Sequence, residues 1–411
     1  MIPKGWSSQK LSSVASIIDC KHRTPKYVKS GIPLVSPGTI KWGALDLISP
    51  VKRVTEEEYR SLMDHCVVEQ GDLVMSRNQS VGVVSYVDSK KPFVLGQDTV
   101  LIKAIHADWR FIYYTLQSDL VQRQIAKSAG GSTFSRINLS DIRALNIKTP
   151  AICEQDKISQ ILTAWDKAIS VTEKLLTNSQ QQKKALMQQL LTGKKRLLDE
   201  NGVRFSGEWE KGKFCDMANI DTGYAFKSKD FTQSDSGIPI IRMSDFKTGG
   251  LDVLGAAKVD RDSVNGLDKF KLRVGDFVFG MSGSLNNYGR VEKKDLPCYL
   301  NQRVGRILAK ECANQAFITY LYLSDSIQQS ILDKAAGAAQ LNISISDLRS
   351  MVVYYPCIEE QQKIAAVLSA ADAEISTLEK KLACLRDEKK ALMQQLLTGK
   401  RRVKVDEAVA E

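Results

Sequence analysis

Lys183-Lys184-Ala185-Leu186-Met187-Gln188-Gln189-Leu190-Leu191-Thr192-Gly193-Lys194 returns, residue for residue, at positions 389 to 400. Twelve consecutive identities at an offset of 206 residues mark a duplication. The same offset pairs Glu154-Gln155 with Glu360-Gln361, Lys157-Ile158 with Lys363-Ile364, Pro150 with Pro356, Ser140-Asp141 with Ser346-Asp347, and Gly31-Ile32-Pro33 with Gly237-Ile238-Pro239. Between these anchors the match is poor and the register drifts, so that Gly71-Asp72-Leu73-Val74 corresponds to Gly275-Asp276-Phe277-Val278. A period near 200 residues lies far outside the spacing of solenoids and propellers. The chain therefore reads as two copies of one unit, with a common frame and different contents.

Each copy ends in a helix. Ile152 to Thr192 and Ile358 to Thr398 contain neither Gly nor Pro, a Pro precedes each stretch and a Gly follows it. At ~1.5 Å per residue, about 40 residues make a rod of roughly 60 Å. Along the second rod the seam is Ile364, Leu368, Ala371, Ile375, Leu378, Leu382, Leu385, Lys389, Leu392 and Leu396, in alternating steps of four and three. The first runs Ile158, Leu162, Trp165, Ile169, Thr172, Leu176, Ser179, Lys183, Leu186 and Leu190, the same frame with a weaker middle. A stripe this narrow needs a partner helix, and the matched frames predict that the two rods pair with each other. Antiparallel pairing gives an approximate two-fold axis; the alternative packs each rod on its own globule.

The remainder of each copy is a globule of about 150 residues. Runs such as Gly82-Val83-Val84-Ser85-Tyr86-Val87 and Asp276-Phe277-Val278-Phe279 read as strands broken by turns, while Trp109 to Lys127 and Ala316 to Ala336 read as helical. The expected fold class is α+β: two similar mixed α/β domains joined by two long helices in an antiparallel coiled coil. The boundaries are a first globule at 1–151, a central long helix at 152–193 and a linker at 194–206. A second globule follows at 207–357, then a C-terminal long helix at 358–399 and a basic then acidic tail at 400–411.

Composition bounds the function. The 411 residues are 43% hydrophobic and 26% charged with 10 Pro, which describes a globular chain able to bury cores. No apolar run approaches the ~18 residues of a membrane helix and no apolar signal region opens the chain, so a cytoplasmic protein without membrane contact is expected. Eight cysteines without a CxxC pair, and three histidines, point to reduced thiols rather than disulfides or a metal centre. The net charge of +11 is uneven: residues 1–151 carry 20 basic and 13 acidic groups, residues 207–357 carry 19 and 18. Excess positive charge on the first globule points to a polyanion. Lys194-Lys195-Arg196 and Lys400-Arg401-Arg402 follow helix C-termini, where cations suit the helix dipole.

The usual catalytic motifs are missing, although spacing alone leaves a dispersed carboxylate nuclease site open. Gly207-Glu208-Trp209-Glu210-Lys211-Gly212-Lys213 has phosphate-loop spacing, but Phe214 stands where a hydroxyl would bind magnesium. No GxGxxG, GxSxG or HExxH occurs, nor the Asn/Asp-Pro-Pro-aromatic signature of methyltransferases.

The repeated helix ending, preceded by Pro and Glu-Gln-x-Lys-Ile, resembles the conserved-helix region of specificity subunits of Type I restriction-modification enzymes. Thr222-Gly223-Tyr224-Ala225-Phe226-Lys227-Ser228-Lys229-Asp230-Phe231, the Gly-Ile-Pro pairs and the Gly-Asp-hydrophobic-Val pairs resemble that family too, and the match spans the whole chain. The resemblance implies a non-catalytic subunit whose globules are target recognition domains, each reading one half of a split sequence in double-stranded DNA. It implies that the helix pair sets the unread gap and docks two modification subunits. S-adenosylmethionine would then be bound by those subunits, and ATP with magnesium by restriction subunits, leaving no cofactor in this chain. The rival reading is a two-headed protein scaffold without DNA readout; a nuclease or methyltransferase with degenerate motifs is a third.

Base reading needs polar side chains on loops that reach groove edges. In the first globule the candidates are Arg77, Asn78 and Gln79 after a predicted strand, Ser132, Thr133, Ser135 and Arg136 in the Gly-rich loop, and Lys41 beside Trp42 as a backbone grip. Their positional counterparts are Ser282, Ser284, Asn286 and Asn287, then Gln340 and Asn342.

Overall fold

The structure is a computed structural model that describes residues 2–49, 52–130, 135–247, 250–282, 287–335 and 343–404. It divides into two compact units, one formed by residues 1–174 and 380–411, the other by residues 175–379. The division falls inside the two long helices, Ile152–Leu190 and Ile358–Leu396. Each unit therefore holds one globule, the start of one helix and the end of the other.

In the first unit a five-stranded sheet runs in the order Ala15–Asp19, Thr99–Ala104, Leu73–Ser76, Val84–Tyr86, Gly43–Ala44, antiparallel except for the last pair. All four residues of Leu73–Ser76 are buried, because the sheet has apolar matter on both faces. Side chains alternate between faces along a strand: Leu73 and Met75 enter one cluster with Val100 and Ile102, whereas Val74 enters another with Leu101. The first cluster also takes in the helix Trp109–Gln117, Ile158 and Leu162 from the start of the central helix, and Leu396 from the end of the C-terminal one. A three-stranded sheet, Arg53–Val54, Ile32–Val35 and Val94–Leu95, covers the opposite side.

The second unit repeats the plan. Its sheet runs Ala218–Thr222, Val304–Ala309, Phe277–Gly280, Tyr288–Arg290, all antiparallel. Phe277 and Phe279 face one cluster with Ile364 and Leu368 of the C-terminal helix and Leu190 of the central one, while Val278 faces another with Val304. In both units the helical stretch of the globule is interrupted: Ser118 ends Trp109–Gln117 and caps Asp119–Ala129, and Gln315–Tyr322 and Asp325–Ala335 flank Ser324.

Within each unit the start of one long helix meets the end of the other, the antiparallel sense. In the first, Lys389 pairs with Asp166 at 2.5 Å and Arg386 with Glu173 at 2.7 Å. In the second, Lys183 pairs with Asp372 at 2.5 Å and Ser179 donates to Glu374 at 3.1 Å. No seam position on either helix is exposed. The Glu-Gln anchors have matching tasks: Gln155 donates to the Pro150 carbonyl and accepts from the Asp108 amide, and Gln361 does the same for Pro356 and Asn314. Buried Glu154 receives two bonds from Arg402, and buried Glu360 two from Arg196. The clusters after the helices thus do more than answer the helix dipole, since one arginine of each neutralises a carboxylate in the first turn of the other helix.

Candidate nucleic-acid interface

Strand Leu73–Ser76 carries Arg77, Asn78 and Gln79 out of its end, and a single antiparallel bridge brings Asn78 beside Arg136. Arg77 is buried, donating from Nε to the Ile137 carbonyl at 3.2 Å and from Nη1 to Asp19 at 2.8 Å. That corrects the expectation of a reader at Arg77: the guanidinium is a tie inside the unit. Burial alone would raise the Asp19 carboxyl, but the hydrogen bond from His22 and the charge of Arg77 hold it below its ordinary value.

Asn78 is half-buried and Gln79 exposed, the latter held in the left-handed region at φ 58°. Asn78 Nδ2 donates to Asp98 at 3.0 Å, and Arg136 pairs with the other oxygen of Asp98 at 2.6 Å. Two of the candidates, Asn78 and Arg136, are thus held at one edge by a carboxylate that sequence reasoning missed, with Gln79 next to them in the chain. Beside them lies a cleft of about 260 Å³ lined by Tyr27, Gly38, Lys52 and Gln97 among others. Ser135 is exposed next to Arg136. Lys41 is exposed too, with its backbone fixed by both bonds of the Ser85 hydroxyl, and Trp42 stands edge-on to Tyr113. Ser132 and Thr133 lie outside the described residues.

In the second unit Met281 takes the place of Arg77: the Ile343 amide donates to the Met281 carbonyl at 2.8 Å, as Ile137 does to Arg77 at 2.9 Å. Ser282 and Asn287 are both half-buried, and the Asn287 carbonyl accepts from Gly280 at 2.7 Å. Ser284, Asn286, Gln340 and Asn342 lie outside the described residues.

Asp19, Cys20 and His22 place three possible ligand atoms within 4.8 Å of one another. The set suits a cation poorly, because burial pushes the Cys20 thiol up and Asp19 is already engaged by His22 and Arg77. Among the described residues no helix is long and apolar enough to cross a membrane.

Residues 3–178 and 206–385 each match the model of the Type I restriction modification DNA specificity domain. The chain belongs to that family. It is 26% identical over 305 residues to the Type I restriction enzyme MjaVIII specificity subunit of Methanocaldococcus jannaschii, covering 72% of this chain and 70% of that one. It is 23% identical over 414 residues to the EcoKI specificity subunit of Escherichia coli, covering 93% and 85%. Among solved structures, the Type I restriction-modification S subunit from M. genitalium superposes with a TM-score of 0.60 at 17% identity, covering 96% of each chain. At that identity the likeness speaks for the fold, and the fold it speaks for is a specificity subunit's: two mixed α/β domains, each followed by a long helix.

Proposed function

We propose that this Type I specificity-family chain directs its enzyme to a bipartite DNA target, each globule reading one half. The observation that carries the reading is the duplicated scaffold with different side chains at its equivalent edges: Asn78, which follows Arg77 and lies beside Arg136, is answered by Ser282, which follows Met281. Two unlike readers on one polypeptide recognise an asymmetric, interrupted sequence. The continuous 39-residue helices supply a spacer and a surface for two modification subunits. In this reading the chain is not itself catalytic and works in the cytoplasm. S-adenosylmethionine belongs to the modification subunits, and ATP with magnesium to the restriction subunits. A protein scaffold has no specific observation in its favour.

Exchanging residues 207–357 for the corresponding globule of a relative is expected to change one half-site of the methylated sequence and leave the other intact. Changes in both halves refute the division of labour. Binding measured against salt adds a second check: affinity should fall steeply, with a logarithmic slope of about −0.9 per phosphate contact. A salt-independent association would fit the scaffold.

A further inference from the structure

One turn of the scaffold is built identically in both units and carries opposite charges. In the first it is Gly96-Gln97-Asp98, in the second Asn301-Gln302-Arg303. The Gly96 amide donates to the Val35 carbonyl at 2.8 Å, and the Asn301 amide to that of Ile241 at 3.1 Å. The Asp98 carbonyl accepts from Arg77 at 2.8 Å, and the Arg303 carbonyl from Met281 at 3.0 Å. Both third residues are left-handed, at φ 62° and 65°, immediately before the strands Thr99–Ala104 and Val304–Ala309.

A left-handed position is the natural place for glycine, and an arginine there is an uncommon choice whose backbone cost must be offset elsewhere. The backbone bonds are the same in both units, so the scaffold does not explain why one side chain is an acid and the other a base. What differs between the units is what they are proposed to read. Arg303 is exposed, and its planar fork matches the O6 and N7 acceptors of guanine in the major groove. Asp98 instead grips Asn78 and Arg136. It neutralises the Arg136 guanidinium that would otherwise be drawn to phosphate, and leaves Asn78 one N–H and its carbonyl oxygen.

We propose that this turn position sets base preference in each half-site, Arg303 by direct contact with a base and Asp98 as a positioning residue for Asn78 and Arg136. The proposal rests on the reading of one half-site per globule. The test uses the full-length chain assembled with its modification subunits and duplex libraries randomised in each half.

Arg303→Gln should lower discrimination at one base pair of the second half-site by about 10-fold or more and spare the first. Asp98→Asn should lower discrimination in the first half-site only. It should also raise affinity for unrelated DNA and steepen the logarithmic salt slope by about 0.9, as Arg136 turns to a phosphate. Adding Arg136→Gln to Asp98→Asn should return the slope to its starting value while discrimination stays lost. If Arg303→Gln weakens all sequences equally, or Asp98→Asn lowers all affinities at an unchanged slope, the turn is structural and the proposal falls. If the unaltered assembly shows no half-site preference, the reading beneath it falls as well.

Discussion

At the scale of single residues, the two copies differ most tellingly where they solve one problem with different chemistry. Asp108 caps Trp109–Gln117 by accepting from the Phe111 amide, and Asn314 caps Gln315–Tyr322 by accepting from Ala316 and Phe317. Burial alone would raise the Asp108 carboxyl, but bonds from Arg110, the Phe111 amide and Ser159 prevail and hold it below its ordinary value of 3.8. A depressed carboxyl contributes stability that is fully present above pH 3.8 and is lost as pH falls through the lower folded value. Hydrogen exchange should therefore show the first helix losing protection on acidification below about pH 4, relative to the second, whose amide cap does not titrate. Asp108→Asn should abolish the difference; a difference that persists would place the acid sensitivity elsewhere.

Arg402 presents a second case. Its guanidinium is bonded through Nε and Nη2 to Glu154, whose side chain is 5% exposed and also accepts from Trp6 Nε1 at 3.2 Å. Arg402→Ala leaves a buried carboxylate without its countercharge, and thermal unfolding should register a loss of about 1 to 2 kcal/mol in the first unit, less than for a fully buried pair because the guanidinium itself is exposed to water. Arg402→Ala combined with Glu154→Gln should recover part of it. No recovery would mean that the arginine acts through packing alone.

At the scale of elements, the rods were plain from the residues because twelve identities and a heptad frame act locally along one helix. The lysines set in that frame were not. Lys183 and Lys389 make sense only once Asp372 and Asp166 arrive from the facing helix, and once Tyr320 and Tyr114 lie beneath the ammonium groups while donating to the same carboxylates. Distance in the chain hid the candidate site in the same way. Arg77 looks like a loop arginine until Asp19, 58 positions away, closes on it. Asp98 left one trace: Leu95-x-Gln97 and Leu300-x-Gln302 agree, and the next residue reverses charge. Matched seven-residue insertions midway along both helices preserve the seam and add about 10 Å to each rod, close to three base pairs at about 3.4 Å. Sequencing of methylated sites should find the unread gap lengthened with both half-sites kept. An unchanged gap would mean that the rods do not measure it.

At the scale of the whole molecule, the division into units cuts across the duplication. The first unit is made from two separate segments, residues 1–174 and 380–411, whereas the second is one uninterrupted stretch. Synthesis from the N-terminus therefore completes them in reverse order. The second has all of its residues once position 379 has been added. The first must wait, with Ile158 and Leu162 lacking Leu396 and Leu397, and Glu154 lacking Arg402. A chain stopped after Glu379 should keep cooperative unfolding of the second unit and expose the first to proteolysis. Equal resistance of both would show that the late segment is dispensable. A nonsense mutation at or just after codon 380 thus injures the unit whose first 174 residues were made before any of the other.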